Sequence, residues 1–129
     1  MSGSAPSQRQ LRVGELIRHA LADVCSRGET GDPVVERLGV TVLEVAVSPD
    51  MRIATVYVRP FMQAGGDELV AALDRHRRYL RGLVTPMLKM KFMPELRFRL
   101  DTSLDYAAHV DELLSRPDVR RDTRDGGES

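Results

Sequence analysis

The helical repeat between residues 67 and 90 constrains the fold more than any other feature of the sequence. Its side chains recur at alternating steps of four and three, the spacing of a buried stripe on an α-helix. The stripe consists of Leu69, Leu73, His76, Leu80, Leu83, Val84 and Met87. One unbroken helix would be ~36 Å long, whereas a domain of 129 residues has an expected radius of gyration of only ~14 Å. Because Pro86 lacks a backbone N–H and disfavours helix at Thr85, we predict two helices, or one kinked helix.

Short segments on either side of this helical region predict three β-strands. Residues 40–47 are rich in β-branched side chains, residues 52–58 place Ala54, Val56 and Val58 on one face, and residues 95–100 alternate between apolar and polar positions. The first two segments are separated by Ser48-Pro49-Asp50-Met51, a tight-turn sequence, so we expect an antiparallel hairpin. The second and third strands are joined through the helical region, and such a crossover predicts a right-handed connection between parallel strands.

The remaining sequence adds helices at both ends. Residues 8–27 have the apolar spacing of an amphipathic helix, and residues 28–39 read as a loop with one short turn, capped by Asp32 and begun by Pro33. Tyr106, Val110, Leu113 and Leu114 mark a short last helix. Residues 1–7 and 116–129 have almost no apolar side chains, and we expect both to be disordered. We therefore predict one α+β domain of order α-β-β-α-α-β plus a short helix, with the helices on one face of a three-stranded mixed sheet.

Composition excludes several classes of protein. Lys and Arg number 19, as do Asp and Glu, which excludes a histone-like cationic chain and an acidic disordered one. No apolar run approaches the ~18 residues of a membrane span, and the N-terminus has no apolar signal segment. The single cysteine, Cys25, excludes an internal disulfide, and the three histidines have no metal-binding spacing. We expect a cytoplasmic protein, monomeric when free, with no membrane association, cofactor, metal or catalytic residues.

The zero net charge hides a strongly basic segment. Between residues 75 and 99, eight Lys and Arg residues accompany one acidic residue, Glu95, so this segment carries +7 and the rest of the chain −7. Such a cluster attracts phosphates, and arginine also stacks on bases. The candidate RNA-binding residues are Arg75, Arg77, Arg78, Tyr79, Arg81, Lys89 and Lys91. The same pattern also suits a solvated helix face, and charge alone leaves both interpretations open.

Three stretches, together with the opening of the first predicted helix, share their order and spacing with one bacterial family. The opening is Arg12-Val13-Gly14-Glu15-Leu16-Ile17. The first stretch is Val47-Ser48-Pro49-Asp50-Met51-Arg52, followed by Ala54, Val56, Tyr57 and Val58. The second is Met93-Pro94-Glu95-Leu96-Arg97-Phe98, and the third is Asp101, Ser103 and Leu104 with Val110, Asp111, Leu113 and Leu114. Over residues 9–114 the chain resembles the ribosome-binding factor A family, bacterial factors in small-subunit maturation.

The resemblance implies a single KH-like domain of the bacterial type (type II), which we place at residues 8–115. It also implies binding to the small ribosomal subunit and its ribosomal RNA during late maturation of that RNA, without catalysis. The alternative is a protein-binding adaptor of the same fold whose basic surface is incidental. Salt-insensitive binding would favour the adaptor, because phosphate contacts release counterions and protein docking depends less on salt.

One departure from the family concerns the bend between the middle helices. The family has an Ala-x-Gly kink there, and the corresponding residues of this chain are His76-Arg77-Arg78. Glycine eases a bend more cheaply than arginine does. Two positions therefore remain open: a later bend near Thr85 and Pro86, or a kink at residue 76 formed without glycine.

Overall fold

Four helices and three strands follow one another along residues 5–62 and 64–102, the part of the chain that the computed structural model describes. The elements are α1 (Gln8–Ser26), α2 (Pro33–Leu38), β1 (Thr41–Val47), β2 (Ile53–Arg59), α3 (Gly66–Arg75), α4 (Arg77–Leu88) and β3 (Glu95–Leu100). The predicted order α-β-β-α-α-β is confirmed, with α2 as the predicted short turn. The predicted C-terminal helix, the tail at 116–129 and the family motif beyond residue 102 lie outside the described residues.

The sheet has the predicted mixed topology. β1 and β2 pair antiparallel, β2 and β3 pair parallel, and β2 lies in the centre. On the covered face, Ala54, Val56 and Val58 of β2 are completely buried, beside Leu96 and Phe98 of β3. The alternate residues of the strands point to the opposite face, which the described helices leave uncovered.

The first helix forms as its sequence pattern indicates. Ser7 caps its N-terminus, and the Ser7 hydroxyl accepts a hydrogen bond from the Gln10 backbone N–H at 3.1 Å. Ile17, Leu21 and other apolar residues of one face are buried against β1 and α4. Leu16, which the sequence pattern assigned to the apolar stripe, is 43% exposed. The buried face of α1 therefore includes Ile17 and Leu21 but not Leu16.

The two middle helices meet at His76, so of the two positions left open by the sequence, the kink at residue 76 without glycine is confirmed and the later bend near Thr85 and Pro86 is wrong. His76 follows α3 and precedes α4, whereas Pro86 lies inside α4, which continues to Leu88. Pro86 removes only the hydrogen bond to the Gly82 carbonyl in the last part of the helix. Gly82 is exposed, and water can satisfy that carbonyl.

The predicted hairpin turn between β1 and β2 forms, and Asp50 closes it. The Asp50 carboxylate accepts hydrogen bonds from the Ser48 hydroxyl at 2.7 Å and the Arg52 backbone N–H at 3.1 Å. These two bonds, the Ser48 bond above all, lower the pKa of Asp50 below its ordinary value. The turn is thus fixed by local polar contacts.

Among the described helices, none has the length and apolar character needed to cross a membrane.

Candidate nucleic-acid interface

The junction between α3 and α4 is fastened to the start of α2. The His76 ring nitrogen Nε2 lies 2.7 Å from the Asp32 carboxylate, and the Arg75 guanidinium lies 3.4 Å from the same oxygen. Asp32 is buried and also accepts the Val34 backbone N–H at 2.8 Å, which caps α2. His76, a member of the predicted apolar stripe, is thus held by a hydrogen bond to a buried carboxylate, with 35% of its side chain exposed.

Opposing effects act on the Asp32 carboxylate. Burial tends to raise its pKa, because a low dielectric disfavours the charged form. The backbone hydrogen bond from Val34 and the bond to His76 act in the other direction and lower the pKa below its ordinary value. An ionised Asp32 therefore fixes the position of the α3–α4 junction.

Beyond this junction, the first turn of α4 presents three candidate residues to solvent. Arg77 and Arg78 are exposed, and Tyr79 is 52% exposed. Neither arginine forms an ion pair or side-chain hydrogen bond with the described residues, and the first turn has no acidic residue and no side-chain cap. A helix N-terminus carries partial positive charge. Two unpaired guanidinium groups therefore reinforce an already positive helix end.

Arg81 has a different environment from Arg77 and Arg78. Its guanidinium donates hydrogen bonds to the backbone carbonyls of Pro94, at 3.0 Å, and Met93, at 2.5 Å. These bonds fix the segment between α4 and β3 against α4. Arg81 is half-buried, and its first role is structural.

Lys89 and Lys91 lie at the opposite end of α4 from Arg77. The twelve residues of α4 span ~18 Å, so the seven candidate residues do not form one cluster. Lys89 ends the helix in the left-handed conformation, with φ of 54°. The Lys91 ammonium lies over the Phe92 ring, 5.7 Å from its centre. The structure thus separates an arginine group at the α3–α4 junction from a lysine group after α4.

Sequence reasoning missed Phe92, which is 77% exposed beside these lysines. An isolated aromatic residue in a sequence suggests a buried side chain, and only the charged neighbours of Phe92 could have indicated that it is exposed.

Two further arginines, Arg97 and Arg99, lie on the uncovered sheet face, where they pair in register with Thr55 and Tyr57. Positive charge therefore extends beyond the candidate residues.

The described residues offer little for catalysis or metal binding. No group of three or more His, Cys, Asp or Glu side chains among residues 5–62 and 64–102 is arranged to hold a metal ion. Burial raises the pKa of the Cys25 thiol to about 11, so almost none of it is thiolate at neutral pH. Cys25 is a packing residue of α1 rather than an activated nucleophile.

The fold and this surface define a small KH-like domain with exposed basic groups at both ends of one helix. The family model described as Ribosome-binding factor A matches residues 9–114. The chain belongs to that family. It is 52% identical over 126 residues to Ribosome-binding factor A of Chelativorans sp. (strain BNC1), covering 97% of this chain and 94% of the relative. Against the same factor of Roseobacter denitrificans, identity is 52% over 122 residues, covering 95% and 85%.

Solved structures give the same result for the fold. The crystal structure of ribosome-binding factor A from Thermus thermophilus superposes with a TM-score of 0.59 at 26% identity, covering 70% of this chain and 94% of that one. A Thermotoga maritima protein, a putative ribosome binding factor A solved by NMR, gives 0.60 at 27%, covering 75% and 91%. A Thermus thermophilus homology model, fitted into the cryo-EM map of a 30S–RbfA complex, gives 0.56 at 29%, covering 69% and 91%.

Proposed function

We propose that this chain is a non-enzymatic assembly factor of the cytoplasm, which binds the small ribosomal subunit and its ribosomal RNA during late maturation of that RNA. The observation that carries the proposal is the pair of exposed arginines at the start of α4, which have no partner among the described residues, in a member of this family. The Thermus relative fitted into a 30S complex supports the choice of partner. The binding domain is residues 8–115.

The first contact would be made by the arginine group at the α3–α4 junction. Arg77 and Arg78 hold phosphates, and the positive end of α4 adds to their field. Arg75 shares the Asp32 carboxylate with His76, but the Arg75 side chain remains 58% exposed and can reach a further phosphate. Tyr79 is exposed enough to stack on a base.

The second contact would be made by Lys89 and Lys91, about one α4 length away. The two positive groups are held a fixed distance apart by the helix. They therefore bind best to an RNA conformer whose phosphates are separated by the same distance. Binding energy then favours that RNA conformer, which shifts the population without any chemical step. Arg81 contributes by fixing the segment that carries Lys91, through its bonds to the Met93 and Pro94 carbonyls.

The test is co-sedimentation of the full chain with isolated small ribosomal subunits, using Arg77→Glu/Arg78→Glu. We expect this double variant to lose binding by more than about tenfold, because two phosphate contacts become repulsive. The variant spares Arg81, whose loss would disturb the 89–94 segment. Its thermal unfolding should match that of the wild type, since both arginines are exposed and unpaired among the described residues.

The matched control is Arg9→Glu/Arg12→Glu, with the same change in charge. Both residues are exposed near the N-terminus of α1, whereas the α3–α4 junction packs beside Asp32, beyond the C-terminus of α1. This variant should bind within about twofold of the wild type. The proposal would be contradicted if Arg77→Glu/Arg78→Glu bound small subunits as tightly as the wild type, or if salt did not weaken binding of the wild type. Either result would favour a protein-binding adaptor.

A further inference from the structure

Phe92 is a large apolar side chain in a position where folding alone gives no reason for its exposure. The chain has three phenylalanines. Phe98 is 2% exposed in the core, while Phe92 is 77% exposed. Its neighbour Met93 is 7% exposed and packs into the core. The backbone therefore turns one side chain inward and holds the adjacent ring in water.

The segment that carries Phe92 is fixed on both sides. Before it, Lys89 ends α4 in the left-handed conformation, and its backbone N–H bonds to the Thr85 carbonyl at 3.3 Å. After it, the Met93 and Pro94 carbonyls accept the two hydrogen bonds from Arg81. A ring on a fixed segment loses little conformational entropy when it binds a partner.

The charge around Phe92 selects the chemistry of that partner. Residues 89–94 contain two lysines and no acidic residue, and the Lys91 ammonium lies over the ring. An aromatic ring between cations fits a base with its neighbouring phosphates, because the ring stacks on the base while the ammonium groups contact the phosphates. Bases within a duplex are already stacked, so the fitting partner is an unpaired nucleotide.

We propose that Phe92 is a stacking residue for an unpaired base of RNA, with Lys89 and Lys91 on the adjacent phosphates. This inference rests on the proposed function and deepens it, since it assigns single-stranded RNA to the lysine end of the interface. It also assigns different roles to Arg77 and Arg78 at one end of α4 and to Phe92 beyond the other: the two arginines contact phosphates, whereas Phe92 requires an unstacked base.

A tryptophan reporter tests the stacking directly, because the chain contains no tryptophan. In Phe92→Trp, the indole replaces the ring, and a base stacked on it quenches its emission. The probe is a short RNA strand without internal pairing, compared with the same strand annealed to its complement. We expect strong quenching by the single strand and little by the duplex, with binding of the single strand at least as tight as that of the wild type.

The matched control is Phe61→Trp. Phe61 is 72% exposed and follows the end of β2, whereas Phe92 precedes β3 at the end where β2 begins. The same RNA strand should leave the emission of Phe61→Trp unchanged. Equal quenching in both variants would overturn the inference, because it would report nonspecific association.

Phe92→Ala provides the second measurement. We expect a loss of at least about fivefold in affinity for the single strand, with unchanged thermal unfolding because the ring is exposed. If Phe92→Ala binds the single strand as tightly as the wild type and RNA does not quench Phe92→Trp, the stacking role is overturned. The proposed function would still stand in that case if binding to small subunits remained salt-sensitive and dependent on Arg77 and Arg78. If Phe92→Ala loses binding to small subunits but RNA does not quench Phe92→Trp, the ring contacts a protein and the inference is wrong.

Discussion

Two arginines three positions apart on α4 have different roles. Arg78 is exposed and has no ion pair or side-chain hydrogen bond among the described residues, whereas Arg81 bonds to the Met93 and Pro94 carbonyls. The sequence predicted both as RNA-binding residues, because both belong to the basic segment between residues 75 and 99. It could not predict the bonds of Arg81, since their acceptors are backbone atoms whose positions depend on the tertiary fold.

This difference predicts separate effects of two alanine substitutions. Arg81→Ala should lower the free energy of unfolding by about 1–3 kcal/mol, because it removes hydrogen bonds from a charged donor to part-buried carbonyls. Arg78→Ala should leave stability within about 0.5 kcal/mol of the wild type and weaken RNA binding instead. Urea unfolding measures the first effect, and equal stability of the two variants would contradict the assignment.

Gly14 and Gly82 differ in the space that surrounds them. A Cβ added to Gly14 would lie 2.4 Å from the Val45 carbonyl oxygen, a backbone atom, where α1 packs on β1. Gly14→Ala should therefore cost about 1–3 kcal/mol through overpacking. Thermal unfolding of the single variant measures this cost.

Gly82→Ala is the matched control within α4. A Cβ at Gly82 would meet nothing within 4 Å, so alanine should stabilise the protein by about 0.4–1 kcal/mol through the lost freedom of the unfolded chain. Unaltered stability of Gly14→Ala would mean that α1 does not approach β1 as closely as described.

At the scale of elements, local patterns predicted most of the fold. Alternation and turn residues correctly predicted the hairpin and β3, and the helix crossover correctly predicted parallel pairing of β2 and β3. The bend between α3 and α4 was not predictable from proline alone. The family resemblance left residue 76 open as the position of the kink, and His76 there bonds to Asp32, 44 positions earlier in the sequence, a contact that no local pattern contains.

The same contact predicts a dependence of stability on pH. The folded-state pKa of Asp32 lies below its ordinary value of 3.8, so the carboxylate stabilises the fold above that pH. This stabilisation is lost as the pH falls through the folded-state pKa. Asp32→Asn keeps a capping side chain but not the charge, and it should be less stable than the wild type at pH 7.

Thermal unfolding at several pH values measures this effect. The difference between wild type and Asp32→Asn should shrink as the pH falls below about 4 and through the lowered folded-state pKa of Asp32, because protonation removes the charge that distinguishes the two proteins. Asp32→Ala, which also loses the α2 cap, should lower the Tm at pH 7 by about 5 °C. A constant difference between wild type and Asp32→Asn at all pH values would show that the Asp32 charge does not fix the junction.

At the scale of the whole molecule, the sequence revealed the basic segment but not its layout. The +7 charge of residues 75–99 is divided between the two ends of α4, with Arg97 and Arg99 on the uncovered sheet face. The sequence showed which residues are basic and that they are concentrated in one segment. It did not show that α4 separates the arginines from Lys89 and Lys91, because that required the positions of both helix ends.

The most direct test of the account is the affinity of the full chain for immature and mature small ribosomal subunits over a range of salt concentrations. We expect tighter binding to immature subunits, and a logarithm of affinity that falls with the logarithm of salt concentration by about 0.7 for each phosphate contacted. The slope should flatten in Arg77→Glu/Arg78→Glu and not in Arg9→Glu/Arg12→Glu. Equal affinity for both kinds of subunit, or binding that salt does not weaken, would contradict a maturation factor that holds ribosomal RNA through its basic surface.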